Sequence, residues 1–194
     1  MQRRTIDKLI SWVGLTLAVT LVAAGSLLTW ANHFVSNEVK TQLSAQKIFF
    51  PPKGSPAIAG PEFKQMQQYA GQQLTTGAQA QVYADHFIAV HLSEVANGQT
   101  YAQLSTKAQA NKDDAVLAGQ VATMFKGETL RGLLLNAYAF GTMGTIAGIA
   151  AIAAFIAAGF MALLTGLGFW HSRKVGPEAV VGGVAGSTKV PVTV

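Results

Sequence analysis

The chain has 194 residues, 50% of them hydrophobic and only 12% charged, where soluble domains carry roughly 25% charged residues. There is no cysteine, which excludes disulfides, thiolate metal sites and cysteine nucleophiles. The net charge of +5 does not point to nucleic acid. Of the 14 Lys and Arg, six (Arg3, Arg4, Lys8, Arg173, Lys174 and Lys189) lie in the terminal segments, and the remaining eight face seven acidic residues in the middle segment. No basic stripe with interleaved aromatics is present.

Residues 1–9 form a short basic tail. Residues 10–31, ISWVGLTLAVTLVAAGSLLTWA, carry no charge. As a helix these 22 residues measure about 33 Å, enough for a hydrocarbon core of about 30 Å. Trp12 and Trp30 stand near the two ends, where amphipathic rings favour the membrane interface. A cleaved signal peptide is the competing reading, but its apolar region is ordinarily ~7–15 residues.

Residues 32–131 read as a helical extracytoplasmic domain. SNEVKTQLSAQK prolongs the first helix to about Lys47. The run 50–61, dense in Pro and Gly, reads as an extended connector, with Phe49 and Phe50 exposed at its start. Thr75 or Thr76 caps the next helix and Gly98 follows its end. Ala84, Phe87, Ile88, His91, Leu92 and Val95 recur at helical spacing and form its apolar stripe. Thr100 opens a short helix with Tyr101, Leu104 and Ala108 on one side. Asn111 and Asp114 cap another, whose stripe is Leu117, Val121, Met124 and Phe125. Gly127 permits a break before the second apolar run.

That run, Gly132–Trp170, has 39 uncharged residues and as a helix would reach about 58 Å, too long for one span. Its end is marked by Trp170, followed by His171, Arg173 and Lys174. Counting back places a second span at 145–170, with 132–144 continuing the same helix outward against the outer domain. Residues 171–194 read as a flexible cytoplasmic tail. Arg3, Arg4 and Lys8 before the first span, and Arg173 and Lys174 after the second, put both termini in the cytoplasm by the positive-inside rule. The second span is rich in small residues. Gly144 and Gly148 form a GxxxG, Ala147 and Ala151 repeat the spacing, and Ala150, Ala154 and Ala158 repeat it again. Such spacing lines one helix face and suits close packing against the first span or a second copy.

Catalytic motifs are sparse. His86, His91 and Glu94 are the only metal-like group, but on a regular helix His91 lies about 140° around and roughly 7.5 Å along from His86. One ion cannot readily bridge them, and His91 falls within an apolar stripe. There is no GxSxG, no Walker loop and no dinucleotide-binding glycine pattern. No ionisable residue lies inside either span, and the Ser and Thr there, Thr165 among them, ordinarily bond to their own backbone.

The stretches YAGQQLTTGAQAQVYADHFIAVHLSEVANGQTYAQLS and FKGETLRGLLLNAYAFGTMGTIAGIAA, the PPKGS connector and the basic amino terminus resemble an uncharacterised family of two-span actinobacterial membrane proteins. Some members of that family carry the label aromatic ring-opening dioxygenase. The resemblance covers most of the chain except its tail, implies a two-span membrane protein, and carries over no functional residues. The expectation is therefore an all-α protein, two transmembrane helices with a small helical extracytoplasmic domain between them, in the plasma membrane. Its expected role is non-enzymatic, an accessory or scaffold component of an envelope assembly, with a sensor-like module or an oligomeric channel as alternatives. The expected partners are the lipid bilayer and other membrane proteins or itself, with no nucleic acid, cofactor, metal or identified small-molecule substrate.

Overall fold

The computed structural model describes residues 3–174; of the tail assigned to 171–194, residues 175–194 lie outside the described residues. Five α-helices follow in order: α1 (Arg3–Ala45), α2 (Gly77–Tyr83), α3 (Ala89–Val95), α4 (Tyr101–Ala110) and α5 (Ala115–Lys174). Three short 3-10 turns occupy Pro56–Ile58, Pro61–Phe63 and Met66–Tyr69, and a π turn at Ala84–Ile88 joins α2 to α3. Among the described residues there is no strand, only a bridge between Phe49 and Gln73, so the protein is all-α.

The two long helices dominate. α1 runs for 43 residues and α5 for 60, and each contains a stretch long and apolar enough to cross a bilayer. The most apolar window of α1 is only 17% buried and that of α5 only 11%. The core helix of a soluble protein would instead be enclosed.

The described residues divide into two compact units, residues 29–148 and the segments 3–28 with 149–174. In the unit 29–148, the short elements close a hydrophobic core between the facing stretches of α1 and α5. Val39 and Leu43 of α1, Met124 and Leu134 of α5, and Ile58, Met66 and Leu74 between them are all buried. Local chemistry sets the element ends. Thr76 caps α2 and Thr100 caps α4, each in a full capping box with Gln79 and Gln103 respectively. Asp114 accepts from the Leu117 N–H at 2.9 Å and starts α5. After α3, Asn97 and Gly98 both take positive φ. Their N–H groups bond back to Glu94 and Ser93, the pattern that closes a helix when the chain must reverse.

Four expectations are corrected here. The run 50–61 is not an extended linker: Phe50, Ile58 and the following Phe63 are buried in the core, one 3-10 turn lies within the run and a second begins at Pro61. Phe50 packs on Tyr69 and Tyr83 with ring centroids 5.3 Å apart in both cases. Phe49 alone is exposed. Gly127 makes no break; α5 runs straight through it because the missing side chain lets Leu92 in. A Cβ at Gly127 would lie 2.4 Å from Leu92 Cδ2. The stripe of α2–α3 also shifts, so that Ala80, Ala84, Ile88, Leu92 and Ala96 are buried while Val95 is exposed. Steps of four residues drift around a regular helix, and the wider π turn, whose Ala89 N–H reaches back to the Ala84 carbonyl, absorbs that drift. In α5 it is Met124, not Phe125, that turns inward, while Phe125 lies 5.8 Å from the Tyr101 ring.

In the unit formed by residues 3–28 and 149–174, α1 and α5 pack antiparallel. Gly25 sits opposite Phe155, Gly14 opposite Thr165 and Ser11 opposite Gly168. The outward faces carry large apolar side chains, among them Leu9, Val19, Leu27, Ile152, Ile156 and Leu163.

Candidate functional site

The seam between α1 and α5 is built from glycines meeting side chains. In the unit 29–148, Gly144 approaches Val35 and Ser36 of α1 and Gly148 approaches Asn32; a Cβ on Gly148 would lie 2.9 Å from Asn32 Nδ2. The absent side chains allow a hydrogen bond between the helices, with Asn32 Nδ2 donating to the Gly144 carbonyl at 2.7 Å. About one turn earlier in α5, Gly141 meets Gly77 at the start of α2, backbone against backbone. Ala147 is half-buried. In the other unit Ala151 and Ala158 are buried and Ala154 half-buried. Gly144 and Gly148 thus sit against α1 of the same chain, and Ala18 and Val22 of α1 line one groove with Ala158.

Most hydroxyls in the long helices return to their own backbone. Ser11 donates to the Asp7 carbonyl at 2.8 Å, Thr16 to Trp12 at 3.0 Å, Thr20 to Thr16 at 2.9 Å and Ser26 to Val22 at 2.8 Å. Thr165 departs from this. Its side chain is buried between the helices, its Oγ1 fits against bare Gly14, and that oxygen makes no hydrogen bond within the protein. One Asp7 carboxylate oxygen, Oδ2, is likewise buried without a partner. Both residues line a cavity of about 300 Å³.

The three tryptophans expected at interfaces are exposed. Trp12 meets Phe169 edge-on at 6.1 Å, Trp30 stacks on Phe34 at 5.5 Å, and the Lys174 ammonium lies 3.8 Å over the Trp170 ring, a cation–π contact.

In the unit 29–148, His91 packs among aromatic rings. Its Nδ1 lies 2.8 Å from the Phe87 carbonyl, and its ring packs on Phe87 at 4.4 Å and on Phe63 at 5.5 Å. Among the described residues, no three His, Asp or Glu side chains gather as a metal site would need. Asp85, on the π turn, pairs with Arg131 at 3.1 Å, and Arg131 also reaches Glu128 at 3.5 Å. Burial raises the Tyr83 phenol above its usual value.

Sequence reading missed Asn32, Asp7, Thr165 and the Asp85–Arg131 pair. A usable sign was present for Asn32 and Thr165: polar residues spaced so that glycines on the facing helix, Gly148 and Gly14, leave room for them. The chain matches no protein-family model, no curated protein and no solved structure.

Proposed function

We propose that the protein is a two-span plasma-membrane protein with both termini in the cytoplasm, and that its outer helical domain serves as a docking component of an envelope assembly. The exposed Ile146, Ile149, Ile152, Ile156 and Leu163 form far more apolar surface than water-facing proteins tolerate, and the bilayer covers it. The resemblance noted above to two-span membrane proteins accords with this reading.

One observation carries the docking role. α5 keeps an apolar outer face above the level where α1 turns polar. Ala137 and Phe140 share one groove with Glu38 and Gln42 of α1, and Gln42 Nε2 donates to Glu38 Oε1 at 2.7 Å. A carboxylate at that level does not belong in hydrocarbon. Yet Leu133, Phe140 and Met143 are 61%, 57% and 61% exposed. A row of large apolar side chains facing water marks a protein contact surface.

Photo-crosslinking residues placed at Leu133 and Phe140 test this in intact cells. Discrete protein adducts, identified by mass spectrometry and lost when Met143 and whichever of Leu133 and Phe140 does not carry the crosslinker are changed to Ser, are expected. Adducts to lipid alone would overturn the docking role and place this stretch of α5 in the bilayer.

A further inference from the structure

In the unit 29–148, a groove beside the contact of Gly77 with Gly141 gathers polar side chains that the fold does not use. It encloses about 380 Å³, with Ser36, Asn37 and Lys40 of α1 on one wall and Thr142 of α5 on the other. All four are exposed, so a ligand reaches their polar atoms. Ser36 and Lys40 are about one helical turn apart. Gly144 lies against Ser36, which sets Thr142 at the level between Ser36 and Lys40.

The two walls differ in chemistry. The side chains of Ser36, Asn37 and Lys40 make no hydrogen bond or ion pair among the described residues, and no Asp or Glu lines the groove. Glu38 faces a different groove, with Phe34 and Phe140. The α1 wall therefore offers free donors around one ammonium. On the α5 wall, Thr142 Oγ1 donates to the Tyr138 carbonyl at 2.9 Å. A hydroxyl has one proton and two lone pairs, so this oxygen is left to accept. Position along α1 bears on the source of a ligand. The charge-free run ends at Ala31, and Ser36 and Lys40 follow five and nine residues later, about 7.5 and 13.5 Å along a helix. The polar layer adds roughly 5–7 Å to each side of the hydrocarbon. Ser36 thus stands at phosphate level, and the Lys40 stem reaches down towards it.

We infer that this groove holds the headgroup of an anionic phospholipid of the outer leaflet, of the phosphatidylglycerol type. The phosphodiester oxygens accept from Lys40, Asn37 and Ser36, and a glycerol hydroxyl donates to Thr142. Charge selects this occupant, because one ammonium matches the single negative charge of a phosphodiester. A zwitterionic headgroup would bring an ammonium for which the groove has no carboxylate. The inference rests on the membrane reading proposed above.

The test uses the full chain in mild detergent, with bound lipid counted by native mass spectrometry. The probes are the dioleoyl forms of phosphatidylglycerol, phosphatidylmethanol and phosphatidylcholine; phosphatidylmethanol keeps the charge and lacks the glycerol hydroxyls. Wild type should favour phosphatidylglycerol over phosphatidylcholine by about tenfold, the value of one charge-assisted hydrogen bond. It should favour it over phosphatidylmethanol by about threefold, the value of a neutral one. Lys40→Gln should bring the first ratio near one, while Lys64→Gln, at an exposed site outside the groove, should keep it. Thr142→Val should bring the second ratio near one and keep the first. Lys40 and Thr142 are both exposed, so neither change opens the core. Absence of either preference in wild type, or its persistence in the matching variant, overturns the inference. Displacement of the lipid by soluble glycerophosphoglycerol at equal concentration also overturns it, since the ligand would then be a free phosphodiester. Thiol labelling in cells, which reads orientation independently of lipid retention in detergent, separates failure of this site from failure of the membrane reading.

Discussion

Gly148→Leu perturbs the seam where its geometry is tightest. A Cβ at this position would lie 2.9 Å from Asn32 Nδ2 and 3.2 Å from its Cγ, so even alanine requires the neighbour to give by about half an ångström. For alanine that strain is largely offset by the roughly 1 kcal/mol that Ala gains over Gly in a helix. Leucine gains nearly as much propensity over Gly, but its bulk outweighs that gain. It displaces Asn32 and so breaks the bond to the Gly144 carbonyl, a term of about 0.6 and at most ~1.7 kcal/mol between membrane helices. Overpacking adds about 1–3 kcal/mol, giving roughly 1–4 kcal/mol in all once the propensity gain is subtracted. Gly159→Leu is the control, because a Cβ there meets nothing within 4 Å; it should be neutral or slightly stabilising. Unfolding in mixed micelles measures the free energies. Spin labels on cysteines replacing Phe34 and Met143 measure the separation of the helices, without background because the chain has no native Cys. Wild-type stability and separation in Gly148→Leu would refute the close-packed seam. Loss of a cross-linked dimer with the hairpin unchanged would instead assign the glycines to a second copy.

Three further outcomes follow from the unit 29–148. Phe50→Ala should destabilise it by about 3–5 kcal/mol, since the ring is buried between Tyr69 and Tyr83; limited proteolysis of the loop after α4 reads this, and wild-type resistance would refute it. Asp85→Asn should cost only about 0.5–1 kcal/mol, less at high salt, because the pair with Arg131 is one-third exposed on each side; a loss above ~3 kcal/mol in thermal unfolding would show that the pair is far better shielded than this. Burial raises the folded-state value of Tyr83 above its unfolded value, so its contribution is complete below pH ~10 and is lost as pH rises through the folded value. Tyr83→Phe should therefore flatten the alkaline loss of stability relative to wild type, and identical alkaline profiles would contradict this.

The long helices were legible because charge is absent from two runs, and no other residue property fixes a bilayer-length helix so directly. The caps were legible because Thr76, Thr100 and Asp114 act locally, through a side chain reaching a backbone N–H three residues on. What was not legible depended on distant partners. Gly127 has the chemistry of a helix break, and only the arrival of Leu92 turns it into a packing position. Phe50 beside two prolines reads as a loop residue until Tyr69 and Tyr83 are folded over it. The π turn moved the inner position from Val95 to Ala96, a one-residue change that a fixed 3.6 period cannot express. Thr165 looked like any membrane-helix hydroxyl, and its lack of a backbone bond emerges only from packing against Gly14. The small residues of α5 were visible as a stripe, but spacing alone could not choose between α1 and a second copy as the partner of Gly144 and Gly148.

The central claim, a membrane hairpin with its helical domain outside and both ends inside, is tested most directly by thiol accessibility in intact cells. The absence of native cysteine makes Lys112→Cys, in the exposed loop before α5, and Ser187→Cys, beyond the second span, clean reporters. The account predicts that a membrane-impermeant maleimide labels position 112 without lysis and position 187 only after it. Labelling of position 187 in unbroken cells, or protection of position 112 there, would contradict it.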